Sequence, residues 1–422
     1  MIPRPNAPIR DVDVIVIGAG IIGIASALYL QRDGLSVAVV DPEEPGEKCS
    51  YGNSGSFGVG IIAPAGLPGT LWRIPRLLLD KRQPLFIDPT LLHRLLPWFG
   101  RFVQSCRPER VEAIAHARHS LLSNTLAAYQ PLFDLANVQS LLRPSGMLFV
   151  YEDSASLRSA GTAFGLARKY RVEIRELSGS EARALNPAIA GHIEAAAYFP
   201  ANVHTINPSR LVKELAGAFV ARGGALRRTT VRAIEAALEG PQTILTDDGS
   251  MRARDVVVAA GIWSRKLLTN LGLNVLMEAE RGYHVTIPDP GVELAMPTML
   301  SERSVVLTPM EHGLRITGIA EFFDADAPPA PGRAEGLIAH ARACVPGLRA
   351  ERYTTWVGPR PSTPDSLPVI SRDPRHAHIY LAFGHGPSGL AMGGITGKLV
   401  AELVSGRRPS IDVSPFSIQR FN

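Results

Sequence analysis

The run Val12–Ile17 (VDVIVI) is β-branched and lacks period-two polarity, the pattern of a strand covered on both faces. An apolar stretch after it predicts a helix from about Ile21 to Arg32, and Ser36–Val40 predicts a second buried strand. Further buried runs stand at Val256–Ala259 and at Ile379–Phe383, the latter breaking at a glycine-rich loop and starting a helix at about Gly389. Between them, Pro144–Tyr151 and Ile193–Phe199 read as strands. The segment 207–224 reads as an amphipathic helix with Asn207 as N-cap and glycines at its end. Arg281–Ile287, Val305–Pro309 and Gly313–Thr317 alternate with turn signals, predicting a mixed or antiparallel sheet.

Composition narrows the class. With 422 residues, 45% of them hydrophobic, the chain can build two domains or one doubly wound domain with an inserted sheet. The net charge of +5 comes from scattered basic residues without long runs, which argues against nucleic-acid binding. Cys49, Cys106 and Cys344 stand far apart, so neither a disulfide framework nor a metal site is expected. The opening MIPRPNAPIR lacks the apolar core of a signal peptide, and no stretch is long enough to span a bilayer, so a cytoplasmic location is expected.

The first chemistry-bearing motif is Gly18, Gly20 and Gly23, spaced G-x-G-x-x-G between strand and helix. These glycines permit a tight turn, close approach of backbone to a pyrophosphate, and close helix–strand packing. Ile21 and Ile22 open the helix whose N-terminus faces the phosphates. Asp41 ends the second strand, 18 residues after Gly23, where a carboxylate accepts hydrogen bonds from ribose hydroxyls. Strand, glycines, helix, strand and acid together predict a dinucleotide site. A second nucleotide-facing segment near residue 385 favours a long cofactor lying across the domain, which is FAD rather than NAD.

Four stretches carry a family resemblance: VIVIGAGIIGIASALYL, SYGNSGSFG, VVVAAGIWS, and the pair WVGPRPSTPDSLPVIS with AFGHGPSGLAMGGITGKLVAEL. Their order resembles the FAD-dependent D-amino-acid oxidoreductase family, which includes glycine oxidase, sarcosine oxidase and bacterial D-amino acid dehydrogenases. The resemblance implies an α/β fold: a Rossmann-type FAD-binding domain, with a second, substrate domain built on a mixed or antiparallel sheet. It places the FAD-binding domain in 1–65, 251–275 and 351–422, a helical insertion in 66–145, interleaved elements of both domains in 146–250, and the substrate sheet in 276–350. Further FAD contacts are expected at Asn53, Ser54, Gly55, Ser56, Val231, Ala260, Gly261, Trp263, Gly384, Gly386, Pro387, Ser388, Gly389 and Leu390. No cysteine follows Val345, so FAD is expected to be bound non-covalently.

By the same resemblance the substrate is a D-amino acid, small or cyclic such as D-proline or hydroxy-D-proline. A hydride leaves Cα for flavin N5, and electrons pass to a quinone or other acceptor. Arg360 stands where the family binds the substrate carboxylate, a task suited to its planar fork. Tyr283 and His284 stand where a pocket residue is expected, but strand alternation sends them to opposite faces, so at most one enters. His385 either orders the loop or acts as a base. The competing readings are an O₂-using glycine- or sarcosine-oxidase-like enzyme and an FAD-binding electron-transfer subunit. The second of these gives no reason for a carboxylate clamp at Arg360. Pro64–Gln104, with Trp72, Trp98 and interleaved Arg73, Arg76, Lys81, Arg82, Arg94 and Arg101, reads either as proline-broken helices packed on the FAD domain or as a segment resting on a membrane where a quinone collects electrons.

Overall fold

The computed structural model describes residues 12–71, 74 and 85–421. The elements that position the site are, in chain order, β1 (Val12–Ile17), α1 (Ile21–Arg32), β2 (Val37–Asp41), α2 (Leu92–Ser105), β3 (Gly249–Val258), β4 (Glu278–Ile287), β5 (Gly313–Phe322), β6 (Thr354–Ser362), β7 (Ile379–Phe383) and α3 (Gly389–Val404).

In the first sheet β1 lies between β2 and β3, with Ile17 opposite Val40 on one side and Val258 on the other, and β7 continues the parallel array beyond β3. The inner residues of these strands are fully buried because α1 and α3 cover one face and apolar side chains such as Ile262, Leu267 and Leu268 the other. β1, α1 and β7 coincide with the hydrophobic runs. β3 is longer than the expected Val256–Ala259, because its first half is polar and exposed and pairs antiparallel with Gln242–Thr246.

The second sheet has a clean division of faces, set by alternation. On β4, Tyr283, Val285 and Ile287 pack with Leu314 and Ile316 of β5 and with the helix Arg333–Cys344 in an apolar core. In register with them, Glu280, His284 and Thr286 share the opposite face with Arg315 and Thr317 of β5 and Trp356 and Arg360 of β6. β6 belongs to this sheet, pairing with β4 from Glu278–Ser362 to Thr286–Thr354. The register of β4 and β5 shifts between Arg281 and Tyr283, and Ile319 sits at φ +66°, a conformation a β-branched residue rarely adopts.

α2 is amphipathic. Leu95, Trp98 and Phe102 are buried, Trp98 stacks on Phe102 at 5.5 Å, and Trp98 Nε1 donates to the Ser362 carbonyl at 3.0 Å. On its outer side Leu92, Leu96 and Val103 are exposed. Trp72, Arg73, Arg76, Lys81 and Arg82 lie outside the described residues. Among the described residues no helix is long and apolar enough to cross a membrane.

Candidate functional site

The carboxyl ends of β1, β2, β3 and β7 open into one cavity of about 470 Å³. It runs from Asp41, Thr230 and Val231 past the glycine turn and Ala260–Gly261 to Gly384–His385, the crevice at the topological switch point where parallel α/β sheets hold ligands. Gly18 sits at φ +111°, and a Cβ there would stand 2.5 Å from the Ala259 carbonyl oxygen. A Cβ on Gly23 would stand 1.8 Å from the Gly18 carbonyl oxygen, so turn and helix touch backbone to backbone. α1 carries no acidic side chain in its first turn, which leaves its partial positive end toward the cavity for a phosphate.

Asp41 organises this turn: Oδ2 accepts from Ala19 N at 2.8 Å and Oδ1 from Glu43 N at 2.8 Å. Burial raises its pKa above the usual carboxylate value, against the lowering by those two backbone donors. Ser50, from a loop after β2, accepts from Ile21 N at 3.0 Å and so caps α1 from outside the motif.

The expected contacts Gly18, Gly20, Ile21, Ile22, Asp41, Asn53, Val231, Ala260, Gly261, Trp263, Gly384, Gly386, Gly389 and Leu390 line the cavity. Gly23, Ser54, Gly55, Ser56, Pro387 and Ser388 stand outside its lining. Gly23 serves helix packing, and Ser56 Oγ donates to Asn202 Oδ1 at 3.1 Å. The Pro387 carbonyl accepts from Asn53 Nδ2 at 3.4 Å, and Ser388 Oγ accepts from the buried Arg118. Lys48, Cys49, Ser50, Thr230 and Lys266 also line the cavity and were not anticipated; the first four come from loops and Lys266 from the short helix Ser264–Asn270. Cys49 donates to the Pro359 carbonyl at 2.8 Å, and desolvation pushes its thiol up to about 11, so the thiol stays protonated and weakly nucleophilic.

Beyond the Gly384–His385 end of the cavity lies the polar face of the second sheet. Arg360 Nη1 donates to Glu280 Oε1 at 2.8 Å and to the Ile319 carbonyl at 3.0 Å, which the bulged register presents to it. Its neighbour Pro361 lines the cavity. Tyr283 takes the apolar face instead: its hydroxyl donates to Glu321 at 2.8 Å and accepts from Arg281 and Ala330 N, leaving no capacity for a substrate. His284 takes the polar face, stacked on Trp356 at 5.2 Å, with Nδ1 3.3 Å from the Gly52 carbonyl, so that nitrogen carries the proton. Burial, with Arg315 nearby, pushes its pKa down to about 3, and burial alone does the same for His385, whose Nε2 pairs with Thr396 Oγ1 at 2.9 Å. His385 lines the cavity with its imidazole buried. Arg315 donates to the Tyr51 and Asn53 carbonyls at 2.7 and 2.9 Å, anchoring the loop that borders the cavity.

Folding also brings Cys344 beside Glu152 and His192, a grouping that cysteine spacing could not show. Arg303 holds both oxygens of Glu152, at 2.6 and 3.0 Å, and its positive charge opposes a cation there.

A cradle of this length, passing from an acid at the end of β2 over a glycine turn to a glycine loop after β7, fits a dinucleotide-binding oxidoreductase fold. The family model described as FAD dependent oxidoreductase matches residues 13–403, and the chain belongs to that family. It is 33% identical over 97% of its length, and 98% of the relative's, to a D-amino-acid oxidase of Bradyrhizobium diazoefficiens. It is 30% identical, over 97% of its length and 98% of the relative's, to a D-amino acid dehydrogenase of Paramagnetospirillum magneticum. Among solved structures, glycine oxidase from Geobacillus kaustophilus superposes with a TM-score of 0.74 at 22% identity, over 97% of this chain and 99% of that one, and shares the fold. FAD is the cofactor, and the cavity suits it, since Gly20 and Gly261 face it where a side chain would intrude.

Proposed function

We propose that the protein oxidises a D-amino acid to the imino acid, which water converts to the keto acid. The observation that carries this is Arg360, a guanidinium anchored on a backbone carbonyl at the edge of the FAD cavity, where a desolvated substrate carboxylate needs a fixed opposite charge. Bound FAD supplies the two-electron acceptor for the hydrogen on Cα. The chain's own residues hold the carboxylate, order the bordering loops through Arg315 and His385, and exclude water. The protonated Cys49 thiol supports non-covalent FAD.

For the electron acceptor, the exposed Leu92, Leu96 and Val103 on α2 support a quinone reached at a membrane surface, and the relative named an oxidase supports O₂. Anaerobic addition of a D-amino acid panel should bleach the flavin absorbance, and reoxidation by a quinone analogue or by O₂ then separates the acceptors. No bleaching with any D-amino acid, under conditions where glycine or sarcosine does bleach it, overturns the D-amino acid reading.

A further inference from the structure

Arg360 is not idle without substrate. Its charge is met by Glu280, whose other oxygen accepts from Ser362 Oγ at 2.7 Å. Ser362 in turn bridges to His385 of the cavity wall. The ion pair is only partly covered, with side-chain exposures of 24% and 19%, and it stands next in sequence to Pro361 of the cavity lining. Each partner has a second anchor: the Ile319 carbonyl for Arg360 and the Ser362 hydroxyl for Glu280. Nothing comparable holds the two to each other alone.

Resting on the carboxylate-clamp reading of Arg360, we propose that Glu280 is a specificity-determining residue that makes this site select zwitterions by exchanging its partner for the substrate's ammonium. A ligand bearing only a carboxylate must displace Glu280 from Arg360 and leave a second negative charge facing its own in a partly desolvated pocket. An amino acid brings both charges on adjacent groups, so carboxylate and ammonium each find a partner and the pocket's charge balance is unchanged. The second anchors keep both side chains in place through the exchange. The repulsive element against wrong ligands is thus Glu280 itself.

The test uses FAD-loaded enzyme and three ligands: the D-amino acid that reduces the flavin best, propionate as a carboxylate without an amine, and the amide of the same amino acid. In Glu280→Gln the inhibition constant for propionate should fall by about tenfold while KM for the amino acid rises by about tenfold, and the amide, an ammonium that leaves Arg360 without a partner, should bind the wild type as poorly as propionate does. If propionate and amino acid weaken together by the same factor, Glu280 merely holds Arg360 in place and the proposal is overturned, as it is if neither value moves. Should the variant not retain FAD, the wild type decides: propionate is expected to bind roughly a hundredfold more weakly than the amino acid, and binding within threefold overturns the proposal. Arg360→Ala separates the underlying reading, which fails if neither propionate nor amino acid binding changes in that variant, whatever Glu280→Gln does.

Discussion

Replacing Arg360 by alanine should remove the fixed charge on which the proposed chemistry depends. In the structure the guanidinium lies against Gly282 of β4, where a Cβ would stand 2.1 Å from Nη2 and would have to push the guanidinium aside. Its loss leaves a substrate carboxylate desolvated beside Glu280, an unpaired and like-charged neighbour. Removing one member of a hydrogen-bonded charge pair costs about 2–5 kcal/mol, which is on the order of 30-fold to several thousand-fold in kcat/KM. Arg360→Lys keeps the charge without the fork and should fall between wild type and alanine. FAD content should be normal, since Arg360 is absent from the lining of the cofactor cavity. The assay is anaerobic stopped-flow reduction across substrate concentration, with bound flavin quantified by absorbance. An alanine variant that loads FAD and reduces within threefold of wild type would refute the clamp.

Four further outcomes follow from the geometry. Asp41→Ala removes the acceptor for Ala19 N and Glu43 N and should weaken FAD binding by about 1–2 kcal/mol, read by titrating apoprotein with FAD; an unchanged affinity means the acid shapes neither turn nor ribose contact. His284 and His385 have pKa values pushed down to about 3 in the folded state, against about 6.5 unfolded, so the unfolded chain binds more protons between those values. Stability is therefore fully present above pH about 6.5 and lost as pH falls toward 3, by about 2 kcal/mol per histidine at pH 5, and a denaturant midpoint that is flat from pH 7 to 5 would contradict their burial. Trp98→Ala should cost about 3–5 kcal/mol in melting experiments, because it empties the contact between α2 and Phe322 and orphans the Ser362 carbonyl. If α2 rests on an anionic surface, flotation with phosphatidylserine vesicles should succeed at low salt and fail at high salt, and no flotation at low salt returns α2 to a purely packing role.

The cofactor half of the molecule is legible in sequence because its constraints are local. A strand buried on both faces admits little but Val, Ile and Ala, and a backbone contact as close as that of Gly23 with Gly18 admits only glycine, so β1, α1 and β2 announce themselves. Cavity residues such as Lys48, Ser50 and Lys266 carry no such mark, since their positions follow from where the loop after β2 and the short helix after β3 land once the sheet has formed. Ser50 shows the difference: it completes the glycine turn by accepting from Ile21 N, yet lies 29 residues away from it.

The substrate half was readable in part, and its failures share one cause. Alternation separates Tyr283 from His284 but does not say which faces the flavin; that is decided by the helix Arg333–Cys344, whose apolar side claims Tyr283 with Val285 and Ile287. β6 begins exposed and contains two prolines, a pattern closer to loop than strand, so the strand that carries Arg360 does not announce itself in the sequence. Glu280 was invisible for a deeper reason. Its neighbours Arg281 and Tyr283 point into the buried Glu321 network, and only the register shift opposite them, with Ile319 held at φ +66°, places the Ile319 carbonyl, Arg360 and Glu280 at one point. A backbone that strained is retained where its surroundings fix it, and here they fix it beside the one guanidinium on which the proposed chemistry turns.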